Sequence, residues 1–167
     1  MLFRSAVDLL TVKALLTEVA LQRVTQTDYR FCADAGCEIV YFDAAGQQFT
    51  IADVRVAVWQ KQPFGDRMLC YCFGEREGAI RDEIERTGHS EAVQRVRAHI
   101  AANRCACDVR NPRGACCLGE VTAAVARIAA AVALTGMQTC AQALRHQPEP
   151  ECPTLDALDT SRRGLAR

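Results

Sequence analysis

Apolar residues in the first third of the chain alternate with polar ones in short runs, a pattern typical of β-strands. Aromatic and β-branched residues are enriched over 29–32 and 38–42, and a turn over 43–46 precedes a short run at 48–50. Alternating valines over 54–58 predict one further strand. The pattern therefore predicts several short strands joined by tight turns.

One short amphipathic helix is predicted before these strands, carried by Val12, Leu15, Leu16, Val19 and Leu21. Pro63 and Gly65 then interrupt the pattern and mark a boundary. Residues 1–65 are accordingly predicted to form a small α+β unit.

The next part of the chain, 66–146, is predicted to be helical. A first helix ends at Gly88, a second begins at Ser90, and an Ala-rich third helix runs from Leu118 to about Leu144. Asn103–Gly114 contains Asn, Pro and Gly and is predicted to be a loop. The fold class is thus α+β.

Composition and charge limit the partners that this chain is expected to bind. Half of the 167 residues are apolar and the formal net charge is zero, which favours neither nucleic acid nor a membrane surface as partner. The longest apolar run, Ile128–Met137, is short for a membrane span, and Arg127 adjoins it. We expect no membrane insertion, and a loosely ordered polar tail over 147–167.

Cysteine is the residue type that indicates a metal or cluster site in this chain. Six of the ten cysteines form two tight groups, Cys70 and Cys72, then Cys105, Cys107, Cys116 and Cys117. Thirty-two residues lie between Cys72 and Cys105, about the length of a helical hairpin. Such a hairpin brings both groups to one point, and an iron–sulfur cluster is usually held by four thiolates.

Other uses of these cysteines are less favoured or remain open. C-x-C and C-C pairs suit disulfide geometry poorly, and a chain of this size does not depend on disulfides for its core. Asp8 and Lys13 interrupt the apolar N-terminal region, so no signal peptide is expected and a reducing, cytoplasmic compartment is. A structural zinc site on the same thiolates, or unligated thiols, remain alternatives.

Particular motifs carry a family resemblance. Cys70-Tyr-Cys72-Phe-Gly resembles the [2Fe-2S] fold of bacterioferritin-associated ferredoxin (BFD). The runs over 104–107 and 111–121, together with Tyr29–Cys32 and Cys37, are similar to the N-terminal domain of CopZ-type copper chaperones. The resemblance covers about residues 11–125. It implies a zinc-domain-like α+β unit followed by a BFD-like helical domain carrying a [2Fe-2S] cluster.

The resemblance also implies a set of ligands. Cys70 and Cys72 match the first pair of cluster ligands, and Cys105 and Cys117 are expected as the third and fourth. Cys107 and Cys116 are the alternates within each later pair. The thiols left over are expected to be inert neighbours of the cluster, with a landing point for copper or a second metal as the alternative. Copper is the cargo that the resemblance suggests.

The zinc half departs from the family pattern. Cys32 and Cys37 match one half of a zinc site, whereas the other half is expected from an upstream C-x-x-C that has no match before Cys32. Two thiolates do not complete a tetrahedral site. We therefore expect weak zinc binding or none, unless a missing N-terminal piece supplies the second pair.

The remaining candidates are expected to be inert. Met137–Ala143 has one cysteine instead of the two of an M-x-C-x-x-C copper loop, so Cys140 is predicted to be a small helix residue. Cys152 lies in the tail. The histidines are predicted to be helix-face or turn residues.

Two functions of different classes follow. The first is an iron–sulfur metal-handling accessory protein that supports delivery of copper, or another thiophilic metal, to a transporter or chaperone with the help of a redox partner. The second is a BFD-like ferredoxin serving an unrelated reductase or iron store, and a structural zinc/thiolate module is the non-redox alternative. No nucleophile–base pair is evident, so no enzyme activity is predicted.

Overall fold

The computed structural model describes residues 4–145, with side chains described for 5–135. Residues up to Leu134 form one compact unit, and a second begins at Thr135. The elements are β1 Arg4–Val7, α1 Leu9–Leu15, α2 Glu18–Leu21, β2 Tyr29–Cys32, β3 Ile39–Phe42, β4 Gln48–Thr50, β5 Met68–Cys70, β6 Glu75–Arg76, α3 Glu77–Thr87, α4 Ala92–Ala101, α5 Cys107–Arg110 and α6 Leu118–Arg145.

An antiparallel sheet organises the N-terminal half, with strand order β1-β2-β3-β4. Its register pairs Arg4 with Cys32 and Phe31 with Tyr41. The sheet buries four aromatic side chains against Val12, Leu15 and Leu16 of the helical segment. They are Tyr29, Phe31, Tyr41 and Phe49. The strands predicted from aromatic and β-branched runs are confirmed at these positions.

Two local predictions in this half are wrong. The predicted helix is broken at Leu16, and Thr17 caps a separate turn of helix by accepting a hydrogen bond from the Ala20 N–H (3.3 Å). Val19 is 73% exposed because the break rotates it away from the core. Residues 54–58 form no ladder, since Val54 makes only an isolated bridge to Leu16.

The helical half has its own core. Leu69, Ile80, Ile84, Val96, Val121 and Ile128 pack together with the buried thiols of Cys70 and Cys117. The three predicted helices are confirmed, and Gly88 ends α3 with a left-handed φ of 82°. Two short elements were not predicted. One is the hairpin β5–β6, and the other is the single helical turn α5, which lies inside the predicted loop.

The helix α6 is long and apolar. Its segment Leu118–Thr135 has the length and hydropathy of a helix that can cross a membrane. Val121, Ala124 and Ile128, however, pack into the core of the helical half. This part of α6 therefore has a role in the core.

An ion-pair network joins α3 to α4. Arg95 donates two hydrogen bonds to Glu75 (2.8 and 2.9 Å) and contacts both carboxylate oxygens of Glu83 (3.0 and 3.2 Å). Ser90 also donates to Glu83 (2.7 Å). Arg95 first, with Ser90 in support, lowers the pKa of Glu83 to about 2.

This network predicts a pH dependence. Because the folded-state pKa of Glu83 lies below its ordinary value, its contribution to stability is present above about pH 4.5 and is lost as the pH falls towards 2. Between pH 5 and pH 3, the unfolding free energy of Glu83→Gln should therefore fall less than that of the unchanged protein. Urea titrations at both pH values measure this difference, and parallel losses in the two proteins would contradict it.

Candidate metal centre

Four cysteine side chains meet between the β5–β6 hairpin and the start of α6. Cys70 ends β5 and Cys72 lies in the turn that follows, closed by a hydrogen bond from the Gly74 N–H to the Cys70 carbonyl (2.8 Å). Cys107 begins α5, and Cys117 immediately precedes α6. The predicted convergence of the two cysteine groups is thus present in the fold.

The four thiols are arranged as two pairs. The Sγ atoms of Cys72 and Cys107 are 3.7 Å apart, and the buried thiols of Cys70 and Cys117 lie in the same core, where Cys117 lowers the pKa of Cys70. Two sulfurs on one tetrahedral metal ion, each at about 2.3 Å from it, are separated by about 3.8 Å. The measured spacing is therefore that of two ligands of a single metal ion.

The pairs differ in burial. Cys70 and Cys117 are 0% and 2% exposed, whereas Cys72 and Cys107 are half-buried. In the part of the chain with described side chains, no group of three His, Cys, Asp or Glu residues is already gathered as a site for one ion. The arrangement is thus two thiol pairs side by side, one inside and one near the surface.

Backbone groups around the cysteines favour negative charge on sulfur. The Ala106 N–H donates to the Cys72 Sγ (3.4 Å), and the backbone at Phe73 and Cys72 acts to lower the pKa of Cys70, as the backbone at Cys117 does for Cys107. Hydrogen bonds of this kind stabilise negative charge on sulfur. The turns around the cysteines are therefore suited to thiolates.

Hydrogen bonding and burial shift the pKa values of three of these thiols. A hydrogen bond from Cys117, assisted by the backbone donors, lowers the pKa of Cys70 to about 7 despite its burial. The same hydrogen bond, with burial, raises the pKa of Cys117. Burial and then Cys72 raise the pKa of Cys107 to about 12. Loading with a metal ion would release the protons that remain.

The other two cysteines of the later group lie outside the pairs. Cys105 and Cys116 are exposed, and Cys105 hydrogen-bonds Cys107. The family resemblance implies Cys105 as the third ligand, with Cys107 as its alternate. The thiol that lies against Cys72 in the structure is that of Cys107.

The loop that carries Cys107 and Cys117 rests on the N-terminal half. Tyr41 donates a hydrogen bond to the Pro112 carbonyl (2.8 Å) across the interior, and the buried Asn111 donates to the Ala115 carbonyl (2.7 Å). Gly114 has a φ of 68°, and a Cβ there would lie 2.8 Å from the Thr11 Oγ1. Close packing against α1 thus fixes this loop.

Gly114→Ala should destabilise the protein by about 2–4 kcal/mol, since it adds a clash with Thr11 to a left-handed backbone penalty of about 1–2 kcal/mol. Gly46→Ala is the matched control, because Gly46 also has a positive φ (93°) but has open space around its Cβ position. Chemical denaturation measures both variants. Equal losses would show that close packing at Gly114 contributes nothing.

The N-terminal pair of cysteines is a separate feature. Cys32 is buried at the end of β2, and Cys37 lies half-buried in the following turn. Lys61 holds this turn by donating to the carbonyls of Asp34 and Cys37, both at 2.8 Å. The β1–β2 register sets Arg4, the first residue of β1, opposite Cys32.

The eight cysteines whose side chains are described are all free thiols. Cys152, His146 and the predicted tail lie outside the described residues, as does the side chain of Cys140. His99 was predicted to be a plain helix-face residue but stacks on Phe73. Asn111 and Tyr41, which hold the cysteine loop, were not identified from the sequence because their partners are distant backbone carbonyls.

Comparison with known proteins agrees with this architecture. Residues 5–55 match the zinc-binding domain family of the CopZ type. The copper chaperone CopZ of Archaeoglobus fulgidus is 30% identical over 108 residues, which is 65% of this chain and 50% of that protein. The chain therefore spans half the length of this curated relative.

A solved structure extends the similarity beyond the matched domain. The X-ray structure of the Archaeoglobus fulgidus CopZ N-terminal domain is 29% identical and covers 70% of this chain and 85% of its own, with a TM-score of 0.56. The region from Ser5, in β1, to beyond Cys37 lies within the family match. The N-terminal region thus matches a CopZ-type zinc-binding domain, within a mixed α/β fold similar to that of the CopZ N-terminal domain.

Proposed function

We propose that this protein is an iron–sulfur metal-handling accessory protein of the copper-chaperone type. In this proposal Cys70, Cys72, Cys107 and Cys117 hold a [2Fe-2S] cluster. The observation that carries it is the arrangement of these four thiols as two adjacent pairs, one of them with its sulfurs 3.7 Å apart.

The donor set fits such a cluster. Each of two irons needs two thiolates, and four cysteines in two pairs supply them. The Ala106 N–H already donates to the Cys72 Sγ, and the backbone around Cys70 and Cys107 acts to lower the pKa of both thiols, so these groups would stabilise the negative charge of a thiolate-bound cluster. A structural zinc site would instead draw all four thiolates around one ion.

When bound, the cluster would supply one-electron transfer. The chain's own residues set the conditions for it. Cys70 and Cys117 lie in a dry core with Leu69 and Val121, which excludes water from one side. Cys72 and Cys107 are half-buried, so this pair is the side from which a partner can approach.

Similarity to a copper chaperone suggests copper as the metal that is handled. Because the chain spans half of that relative, its cargo and partners are part of the proposal. Soft thiolates prefer Cu(I) over Cu(II). One electron from the reduced protein converts one Cu(II) to one Cu(I), which thiolates of a heavy-metal transporter or chaperone can then accept. A separate redox partner restores the electron, and free thiols suit a reducing, cytoplasmic compartment.

The N-terminal pair fits zinc only in part. Cys32 and Cys37 provide two of the four ligands that a tetrahedral structural site takes. No step proposed here depends on zinc. Enzymatic turnover is likewise not part of the proposal.

Copper reduction tests the functional proposal. Protein reduced with dithionite and freed of excess reductant should convert about one Cu(II) per cluster to Cu(I), measured anaerobically with a Cu(I)-specific chromogenic chelator. Oxidised protein is the matched control, because it carries the same free thiols. Equal Cu(I) yields from both forms would contradict copper reduction and favour the alternative of a BFD-like ferredoxin.

A further inference from the structure

His99 contacts the turn that carries the first thiol pair. Its imidazole lies on the ring of Phe73, with ring centroids 4.0 Å apart and an angle of 13° between the planes. Phe73 directly follows Cys72 in the turn that the Gly74 N–H closes on the Cys70 carbonyl (2.8 Å), and the backbone of Phe73 acts to lower the pKa of Cys70. The stack therefore acts on the turn that carries Cys70 and Cys72.

His99 also contacts the second cysteine group through its backbone. It lies in the last turn of α4, and its carbonyl accepts a hydrogen bond from the Arg104 N–H (3.1 Å). Arg104 leads directly into Cys105 and Ala106, and the Ala106 N–H donates to the Cys72 Sγ. One residue thus joins the two loops that carry the thiols.

The imidazole is not held by a hydrogen bond at its inner nitrogen. The Nδ1 atom is buried and has no hydrogen-bond partner among the described residues. A buried nitrogen of this kind is costly, so core stability alone does not explain a histidine here. With Nδ1 unpartnered, the stack with Phe73 is the contact that orients the ring.

We propose that His99 is a positioning residue for the thiol centre. Its ring fixes Phe73 and its carbonyl fixes Arg104, and together they hold the Phe73 backbone and the Ala106 N–H in place beside Cys70 and Cys72. The redox part of this inference rests on the proposed [2Fe-2S] function, whereas the positioning part does not.

The direction of the redox effect follows from charge. Reduction adds negative charge to a thiolate-bound cluster, and N–H donors stabilise the reduced form more than the oxidised form. Loss of the stack should loosen the turn at Phe73 and lower the reduction potential. At a fixed ambient potential the ratio of reduced to oxidised protein should fall on the order of tenfold, which corresponds to 59 mV for one electron.

Three substitutions in the full chain test the proposal. His99→Ala removes the ring, His99→Phe keeps an aromatic stack, and Arg97→Ala is a control on an exposed position of the same helix. Hydrogen exchange of peptides spanning 71–75 and 104–107 is measured on each protein as purified. Redox titration of the visible spectrum is measured on the same samples.

His99→Ala should speed exchange about tenfold in the 71–75 peptide and lower the potential, and His99→Phe should restore both. The 104–107 peptide should change less, because alanine keeps the backbone carbonyl that accepts the hydrogen bond from Arg104. Unchanged exchange and potential in His99→Ala would overturn the proposal. Exchange accelerated equally throughout α3, α4 and α6 would also overturn it, since that result indicates only lost stability. If the unchanged protein proves to hold no iron, the proposed function fails, and the exchange data alone decide the role of His99.

Discussion

Cys70→Ser and Cys117→Ser should each abolish the bound cluster. Both side chains are almost fully buried and lie in the same core, so serine at either position leaves the cluster with one of its four thiolates missing. Iron content and the visible absorption of protein purified without oxygen measure the loss. We expect less than about a tenth of the iron bound by the unchanged protein, as thiolates are the ligands that such clusters require.

Matched controls lie one or two residues away. Cys116→Ser changes the exposed neighbour of Cys117, and Cys105→Ser changes the exposed thiol two residues before Cys107. Both should retain iron, whereas Cys107→Ser should lose it. If Cys107→Ser keeps the full visible spectrum and Cys105→Ser loses it, Cys105 is the third ligand, as the family resemblance implies. The contact between the Cys72 and Cys107 thiols would then not identify a ligand.

Glu77→Ala should lower the free energy of unfolding by about 3 kcal/mol. Glu77 is 3% exposed, pairs with Arg127 and with Arg67 (4.0 Å), and accepts a hydrogen bond from the Gly65 N–H (3.1 Å). Removing one partner of a buried pair leaves a desolvated charge and costs about 3–5 kcal/mol. Because Arg127 is half exposed and can regain water, the lower end of this range applies.

The effect should reach the metal centre as well. Residues 65–67 lead into β5, which ends at Cys70, so loosening this entry should also shorten the lifetime of the bound cluster. Asp66→Ala is the matched control, since Asp66 and Arg76 form an exposed pair (3.3 Å) worth at most about 1 kcal/mol. Urea denaturation compares the variants. A loss in Glu77→Ala no larger than in Asp66→Ala would contradict a role for the buried carboxylate.

Hydrophobic periodicity predicted the helices and strands in which burial follows directly from the sequence pattern of the segment itself. Val121, Ile128 and their neighbours repeat at helical spacing, and Gly88 is suited to the left-handed backbone that ends α3. Tyr29–Cys32 alternates as a half-buried strand does. In such segments one face of the helix or strand packs against a single core, so the hydrophobic pattern of the sequence matches the burial pattern in the fold.

The predictions from the sequence failed where contacts with distant residues determine the local structure. Val54 and Val56 alternate like strand residues, but Val54 pairs only with Leu16, so no ladder develops. Val19 follows the helical pattern, yet the chain breaks at Leu16 to make this same bridge. β5 is too short for a periodic signal, since it has only three residues.

Some features of the candidate site were likewise predictable from the sequence, whereas others depend on distant contacts. Grouped cysteines in two tight clusters predicted that the thiols meet, because the spacing suits a hairpin of α3 and α4. Which member of each pair points inward depends on the turn α5 and on the packing of Gly114 against Thr11. The contacts of His99 and Tyr41 have no sequence signal either, since their partners lie 26 and 71 positions away.

The most direct test of this account is the iron and acid-labile sulfide content of the full chain purified without oxygen. The account predicts about two irons and two sulfides per chain, with a visible spectrum that bleaches on one-electron reduction. Colourless protein that holds zinc at Cys70, Cys72, Cys107 and Cys117, and takes up no iron on reconstitution, would contradict it.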